Sequence, residues 1–283
     1  MQSDKVHLPN EKETYLSTLY GKALDNRAEH PILGDTFADE VIRRIDFDFE
    51  KLQFAQGGAI TLPMRAKHLD SWAREFLDAN PVSTVLHLGC GLDSRVFRID
   101  PPATVRWYDV DLPEVIELRK QLYPQRHDYQ MIASSVADLH WLDSISGDRP
   151  VLVVAEGLMQ YLTRQEAIAL FNRLTGQFPG GQIIFDAYST FTIGMINLMV
   201  KLTRLRSKPT AAGSSVFLPW GLDDPQDLTR EVSRLRFVTA ISFLTIPELV
   251  TRLSHSKAQY KIANMIGHFA WYRNSMRHFR YEF

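Results

Sequence analysis

The sequence predicts an α/β fold: an open, mostly parallel sheet with a nucleoside site at the carboxyl ends of its strands. Three observations predict it. The apolar run Thr84-Val85-Leu86-His87-Leu88 ends in the turn Gly89-Cys90-Gly91, and the acidic pair Asp109 and Asp111 follows in Trp107-Tyr108-Asp109-Val110-Asp111. A carboxylate about 20 residues beyond a Gly-x-Gly turn is how such sheets reach ribose hydroxyls. Short β-branched runs then alternate with helical patterns, the signature of βαβ units. Finally, 283 residues with 45% hydrophobic and 23% charged content can bury one large core.

Taken in order, residues 11–80 read as helices. Thr61-Leu62-Pro63 reads as a helix start, since proline is tolerated in a first turn. Leu62, Leu69, Trp72, Ala73, Phe76 and Leu77 recur at helical spacing, and Asn80-Pro81 stops the run. Strands are expected at Val82–Leu88, Thr104–Val110, Tyr129–Ala133, Val151–Ala155 and Gln182–Asp186, with a helix opened by Pro113-Glu114 between them.

After the fifth strand the alternation lapses. Phe191–Leu205 is rich in Met, Ile and Leu and ends among Lys201, Arg204, Arg206 and Lys208. It reads as an amphipathic lid helix over an apolar acceptor, with ordinary core packing and interfacial membrane contact as the alternatives. A polar loop Lys208–Ser215, a helix around Pro225–Leu235 and a strand Phe237–Phe243 follow. A helix opened by Thr245-Ile246-Pro247-Glu248 and a β tail His278–Phe283 complete the chain. The expected organisation is one domain over 1–283, with N-terminal helices (1–80), a cofactor-binding core (81–187), a lid insertion (188–235) and last strands (236–283).

Composition excludes several classes. A formal net charge of -1 supplies no global attraction to nucleic acid or anionic lipid. The single cysteine, Cys90, rules out an internal disulfide and fits a reducing compartment. Met1-Gln2-Ser3-Asp4-Lys5 lacks the apolar core of a secretion signal, and no apolar stretch approaches the ~20 residues that span a bilayer. The expectation is a cytoplasmic protein without stable membrane insertion. The nine histidines form no His-x-x-x-His or Cys-x-x-Cys pattern, so no metal is expected. Oligomeric state is left open.

The turn itself indicates the cofactor. Glycines at 89 and 91 let the backbone approach a ligand. The third position of a dinucleotide fingerprint is Ser94 instead of glycine, and Asp93 puts a negative charge where a pyrophosphate needs free amides. That arrangement suits the sulfonium and ammonium groups of S-adenosylmethionine better than NAD.

The segments Leu88-Gly89-Cys90-Gly91-Leu92-Asp93-Ser94-Arg95, Trp107–Val115 and Glu156-Gly157-Leu158-Met159-Gln160-Tyr161-Leu162 together resemble the leucine carboxyl methyltransferase family. They are most similar to its bacterial branch, typified by the tetracenomycin polyketide O-methyltransferase. The similarity covers about Tyr20 to Phe283 and is densest from Met64 to Asp186. It implies a class I methyltransferase fold, a seven-stranded Rossmann-like sheet whose last strand is antiparallel, with S-adenosyl-L-methionine as donor.

The resemblance also implies site residues. Arg65 corresponds to the arginine that binds the methionine carboxylate, a partner suited to bidentate pairing. Gly89 and Gly91 correspond to the glycines, and Asp111, in preference to Asp109, to the ribose-binding acid. Asp138 and Leu139 correspond to the pair that brackets the adenine, and Glu156 to the acid near the methionine ammonium. Lys22 corresponds to a basic residue that helps close the site, and Tyr161 to a tyrosine on the acceptor side. Tyr188, after the fifth strand, is a further candidate for lining the pocket.

Plainer roles stand beside these. Arg65 can be a solvated surface group, and Asp138 can cap a helix. Cys90 and His87 read as packing residues, not as nucleophile or base. Glu156, directly after Val151–Ala155, is costly to leave unpaired. The expected function is O-methylation of a small aromatic or polyketide-like hydroxyl. A carboxyl methyltransferase is the alternative, and a non-catalytic S-adenosylmethionine-binding regulatory module is the alternative of another class. No catalytic base is assigned.

Overall fold

Thr84–Leu88 (β1) is buried at every position, as expected of a strand covered on both faces. In the computed structural model, which describes residues 6–7, 13–49, 52, 58–206, 217–254 and 256–283, it lies inside a seven-stranded sheet. The others are β2 (Arg106–Asp111), β3 (Tyr129–Ala133), β4 (Val151–Ala155), β5 (Gly181–Tyr188), β6 (Arg236–Ser242) and β7 (Met276–Glu282). Their order is β3-β2-β1-β4-β5-β7-β6. The pairs β1–β2, β2–β3, β1–β4 and β4–β5 are parallel, whereas β7 runs antiparallel to both β5 and β6. The expected class I sheet with an antiparallel last strand is therefore observed. Strand order reverses between β1 and β4, so the loops leaving their carboxyl ends diverge and open a crevice.

Side-chain alternation sends each strand's residues to two cores. On one face, Leu86, Leu88, Val110, Val153, Ile183 and Phe185 pack with Ala167, Leu170, Phe171 and Leu174. On the other, Val85, Trp107, Leu152, Val154 and Ile184 pack with Leu69, Trp72, Ala73 and Phe76.

The helices are α1 (Glu13–Asn26), α2 (Thr36–Arg44), α3 (Gly58–Ala79), α4 (Arg95–Ile99), α5 (Pro113–Leu122), α6 (Arg164–Gln177), α7 (Thr190–Arg206), α8 (Gln226–Glu231), α9 (Pro247–Leu253), α10 (Lys257–Gly267) and α11 (Ala270–Arg273). Helix α3 begins at Gly58 and not at Thr61, with Pro63 inside it. Proline there forfeits the bond its own nitrogen would have made and crowds the carbonyl one turn earlier, a cost that the buried stripe Leu69 to Leu77 offsets. Within the stretch expected to be helical, Ile45–Asp46 forms a short parallel ladder with Val6–His7. The helix expected at Pro225–Leu235 closes at Glu231, because Val232 and Leu235 turn in as buried anchors before β6. Helices α10 and α11 were not anticipated. The polar loop Lys208–Ser215 lies outside the described residues.

Helix α7 is not ordinary core. Ile193 is buried, but Phe191, Met195, Leu198, Met199 and Leu202 are exposed. Among the described residues, none of α7 lines the cavity described below.

Candidate cofactor site

The glycine turn continues β1 for one step, with the Gly89 N–H donating to Val110 O at 2.8 Å. It then bends through φ +59° at Gly89 and +50° at Gly91, the left-handed region that side chains resist. A Cβ on Gly89 would lie 2.9 Å from Leu158 Cδ1, so glycine also permits close approach of the loop after β4. Asp111, at the end of β2, closes the turn from the other side: its carboxylate accepts from Gly91 N–H at 2.7 Å and Leu112 N–H at 2.7 Å. Burial nonetheless pushes its pKa above the ordinary aspartate value, against the lowering effect of those bonds.

Asp109 is built differently. It is fully buried and accepts from Arg119, from Tyr129 OH at 2.6 Å and from Trp107 Nε1 at 2.9 Å, with His87 Nδ1 at 3.1 Å. Burial would raise its pKa, but Arg119 and these hydrogen bonds prevail and hold it at about 2. Its capacity is spent internally, so Asp111 is the acid of the pair that faces the crevice.

A cavity of ≈ 730 Å³ occupies that crevice. It gathers Lys22, Arg65, Gly89, Gly91, Asp111, Glu156, Tyr161 and Tyr188 in one lining. Asp138 and Leu139, the pair expected to bracket the adenine, are not part of that lining. Asp138 is exposed and its carboxylate accepts from His140 N–H at 3.3 Å, capping the 3₁₀ turn Leu139–Ser144. Leu139 packs against the core, and the neighbouring Ser135 and Val136 line the cavity.

A buried charge cluster forms the deep wall. Glu156 Oε1 accepts from Arg65 Nε at 3.0 Å, its Oε2 accepts from Arg95, and Lys22 Nζ lies 3.9 Å away. Arg95, with no exposure, also donates to Asp70 at 2.7 Å and sits 2.8 Å from His87 Nε2. Asp93 faces Lys22 at 3.0 Å, Arg98 at 2.9 Å and Arg95 at 3.4 Å. Burial favours the neutral acids, yet Lys22, Arg65 and Arg95 hold Glu156 well below the usual carboxylate range. Arg98, Lys22 and Arg95 do the same for Asp93. Arg65 is thus no solvated surface group. The cluster carries its charges as pairs.

Sequence reasoning missed Arg95, Tyr15 and Gln160. An arginine just after a turn reads as a surface group by default, and only the sheet shows that Arg95 points under it. Tyr15 belongs to a helix 74 residues before the turn it touches, where a Cβ on Gly91 would lie 3.4 Å from its ring. Burial, with Asp111 and Glu114 nearby, pushes its phenol up to about 12. Burial likewise raises Tyr188. His87 has both ring nitrogens engaged. Among the described cavity residues, no side chain is both basic and unpaired.

These residues fit the expected donor on two observations. The amine of Lys22, 1% exposed, faces Asp93 at 3.0 Å without a well-directed hydrogen bond, and the amide oxygen of Gln160, 7% exposed, is buried without a hydrogen-bond partner. One suits a carboxylate and the other an ammonium. The two positive-φ glycines add a backbone cradle beside Asp111. Among the described residues, no group of three His, Cys, Asp or Glu side chains could hold a metal ion, and no helix is long and apolar enough to cross a membrane.

Comparison with known proteins identifies the family. Residues 16–175 match the family described as leucine carboxyl methyltransferase. The tetracenomycin polyketide synthesis O-methyltransferase of Streptomyces glaucescens is 42% identical over 246 residues, 87% of this chain and 88% of that protein. An S-adenosyl-L-methionine-dependent methyltransferase of Gibberella zeae is 34% identical over 256 residues, 84% of each chain. A crystal structure from Thermobifida fusca that carries a methyltransferase assignment aligns with TM-score 0.54 at 14% identity, covering 92% of this chain and 93% of that one. The last likeness concerns the fold alone.

Proposed function

The chain belongs to the leucine carboxyl methyltransferase family, and from that premise we propose that it methylates an oxygen of a small, aromatic or polyketide-like acceptor. S-adenosyl-L-methionine is the donor, and when bound it supplies an electrophilic methyl group. The observation that carries the reading is the meeting, in one cavity, of Asp111 with the glycine turn and of Arg65 and Lys22 with Glu156.

Asp111 accepts from ribose hydroxyls with the lone pairs that Gly91 and Leu112 leave free. Arg65 and Lys22 take the methionine carboxylate. Tyr161, 44% exposed, and Tyr188 frame the acceptor side, and Leu158 and Leu162 add apolar surface to the same cavity. Positioning an oxygen in line with the methyl group supplies most of the acceleration. A purely regulatory binding module would not need the tyrosine-lined acceptor side. A cytoplasmic location belongs to the same reading.

The relative from Streptomyces favours a polyketide acceptor, and the sequence-based expectation is a hydroxyl. One observation favours the alternative, a carboxylate: the described cavity residues offer no unpaired base. A carboxylate is ionised at neutral pH and needs none, while a phenol near pKa 10 gains from one.

Calorimetry tests the donor. S-adenosylmethionine or its demethylated product should bind, and NAD binding without either would sink the reading. Labelled methyl transfer tests the acceptor. Mild alkali releases methanol from an ester and leaves an aryl ether intact, so full release assigns the carboxylate and full retention the hydroxyl.

A further inference from the structure

We infer that Gln160 is the residue that receives the α-ammonium of the methionine moiety, a task that Glu156, its charge already matched by Arg65, Arg95 and Lys22, does not perform alone. The inference rests on the proposed donor and deepens the account of its site.

Gln160 stands in the short 3₁₀ turn Met159–Tyr161 after β4 and lines the cavity. Its Nε2 donates to Gly157 O at 2.8 Å. That bond decides which way the amide faces, because the reverse orientation would set two oxygens together. Its Oε1 is therefore pinned as an acceptor, and it is buried without a partner. A buried, unpaired amide oxygen is costly unless a ligand supplies the donor.

Position selects the donor. Gly157, to which the amide is anchored, lies against Arg65: a Cβ there would be 3.2 Å from Arg65 Nη2. Gln160 thus sits at the end of the cavity where Arg65 stands. Glu156 accepts from Arg65 and from Arg95 and has Lys22 3.9 Å away, so its single negative charge is already matched by cations and offers little net attraction to a further one. An ammonium brings three N–H donors and lacks any acceptor. The Gln160 oxygen is its complement.

The test compares S-adenosylhomocysteine with its analogue lacking the α-amino group, by calorimetry on the wild type and on Gln160→Met. The wild type should prefer the amino compound. Gln160→Met should weaken S-adenosylhomocysteine about ten-fold or more, the loss typical of a hydrogen bond to a charged group, and leave the deamino analogue unchanged. Unchanged analogue binding also shows that the variant is folded. Equal weakening of both ligands, or of neither, overturns the assignment. So does unchanged S-adenosylhomocysteine binding with a raised KM for the acceptor, which would place the amide on the other substrate. A wild type that binds neither ligand would instead remove the donor reading itself.

Discussion

Asp111 and Asp109 are two residues apart on one strand, and their surroundings drive them in opposite directions. Burial raises Asp111 above the ordinary aspartate value of 3.8, whereas the cations and donors around Asp109 bring it to about 2. Ribose hydroxyls are donors, so they need Asp111 ionised. Donor affinity should therefore fall as pH drops through the raised pKa of Asp111, at a pH above that at which a solvated aspartate would titrate. Asp111→Asn should weaken binding by about 1.5–3 kcal/mol at neutral pH through loss of charged hydrogen bonds and flatten this pH dependence. Calorimetry from pH 7 to pH 4 reads both effects. An acid limb that persists in the Asn variant would assign it to another group.

At the scale of elements, the turn between β1 and α4 has one requirement that a single methyl group tests. Alanine at Gly89 must adopt φ +59° and bring its Cβ to 2.9 Å from Leu158 Cδ1. The conformation alone costs about 1–2 kcal/mol, and Leu158 has to yield as well. Gly89→Ala should lower stability in urea by at least the first amount and weaken the donor, since Leu158 lines the same cavity. Unchanged denaturation midpoints would show that the loop after β4 moves freely. Helix α7 is the contrasting element: its apolar pattern was legible in the sequence, but its exposure was not. Hydrophobic spacing reports which side of a helix is apolar, and not what that side meets.

Across the whole molecule, the charge cluster connects parts that chain order separates widely. Asp35 accepts from Arg98 at 2.8 Å, Asp70 of α3 accepts from Arg95 and Arg98, and Lys22 of α1 faces Asp93 and Glu156. Through these contacts the N-terminal helices are locked onto the carboxyl ends of β1 and β4. Removing one member leaves buried charge behind. Arg95→Met should cost about 3–5 kcal/mol, the usual penalty for breaking a buried pair, and release the ordering of Glu156. Thermal unfolding with and without S-adenosylhomocysteine checks this; a loss below 1 kcal/mol would mean that solvent reaches the cluster.

The sequence by itself determined the sheet, the glycine turn and the acid that faces the crevice. Local chemistry suffices for these. β-branched runs, a positive-φ turn and a carboxylate one strand on are consequences of neighbours in the chain. It also marked Glu156 as a carboxylate that could not stand unpaired, without identifying its partners. Tertiary structure alone decided that Arg65 and Arg95 divide its two oxygens, that Asp138 turns outward as a cap, and that Tyr15 and Gln160 belong to the site. A buried side chain's partner is set by distance in space. In a sheet whose strand order departs from chain order, sequence separation carries almost no information about that distance.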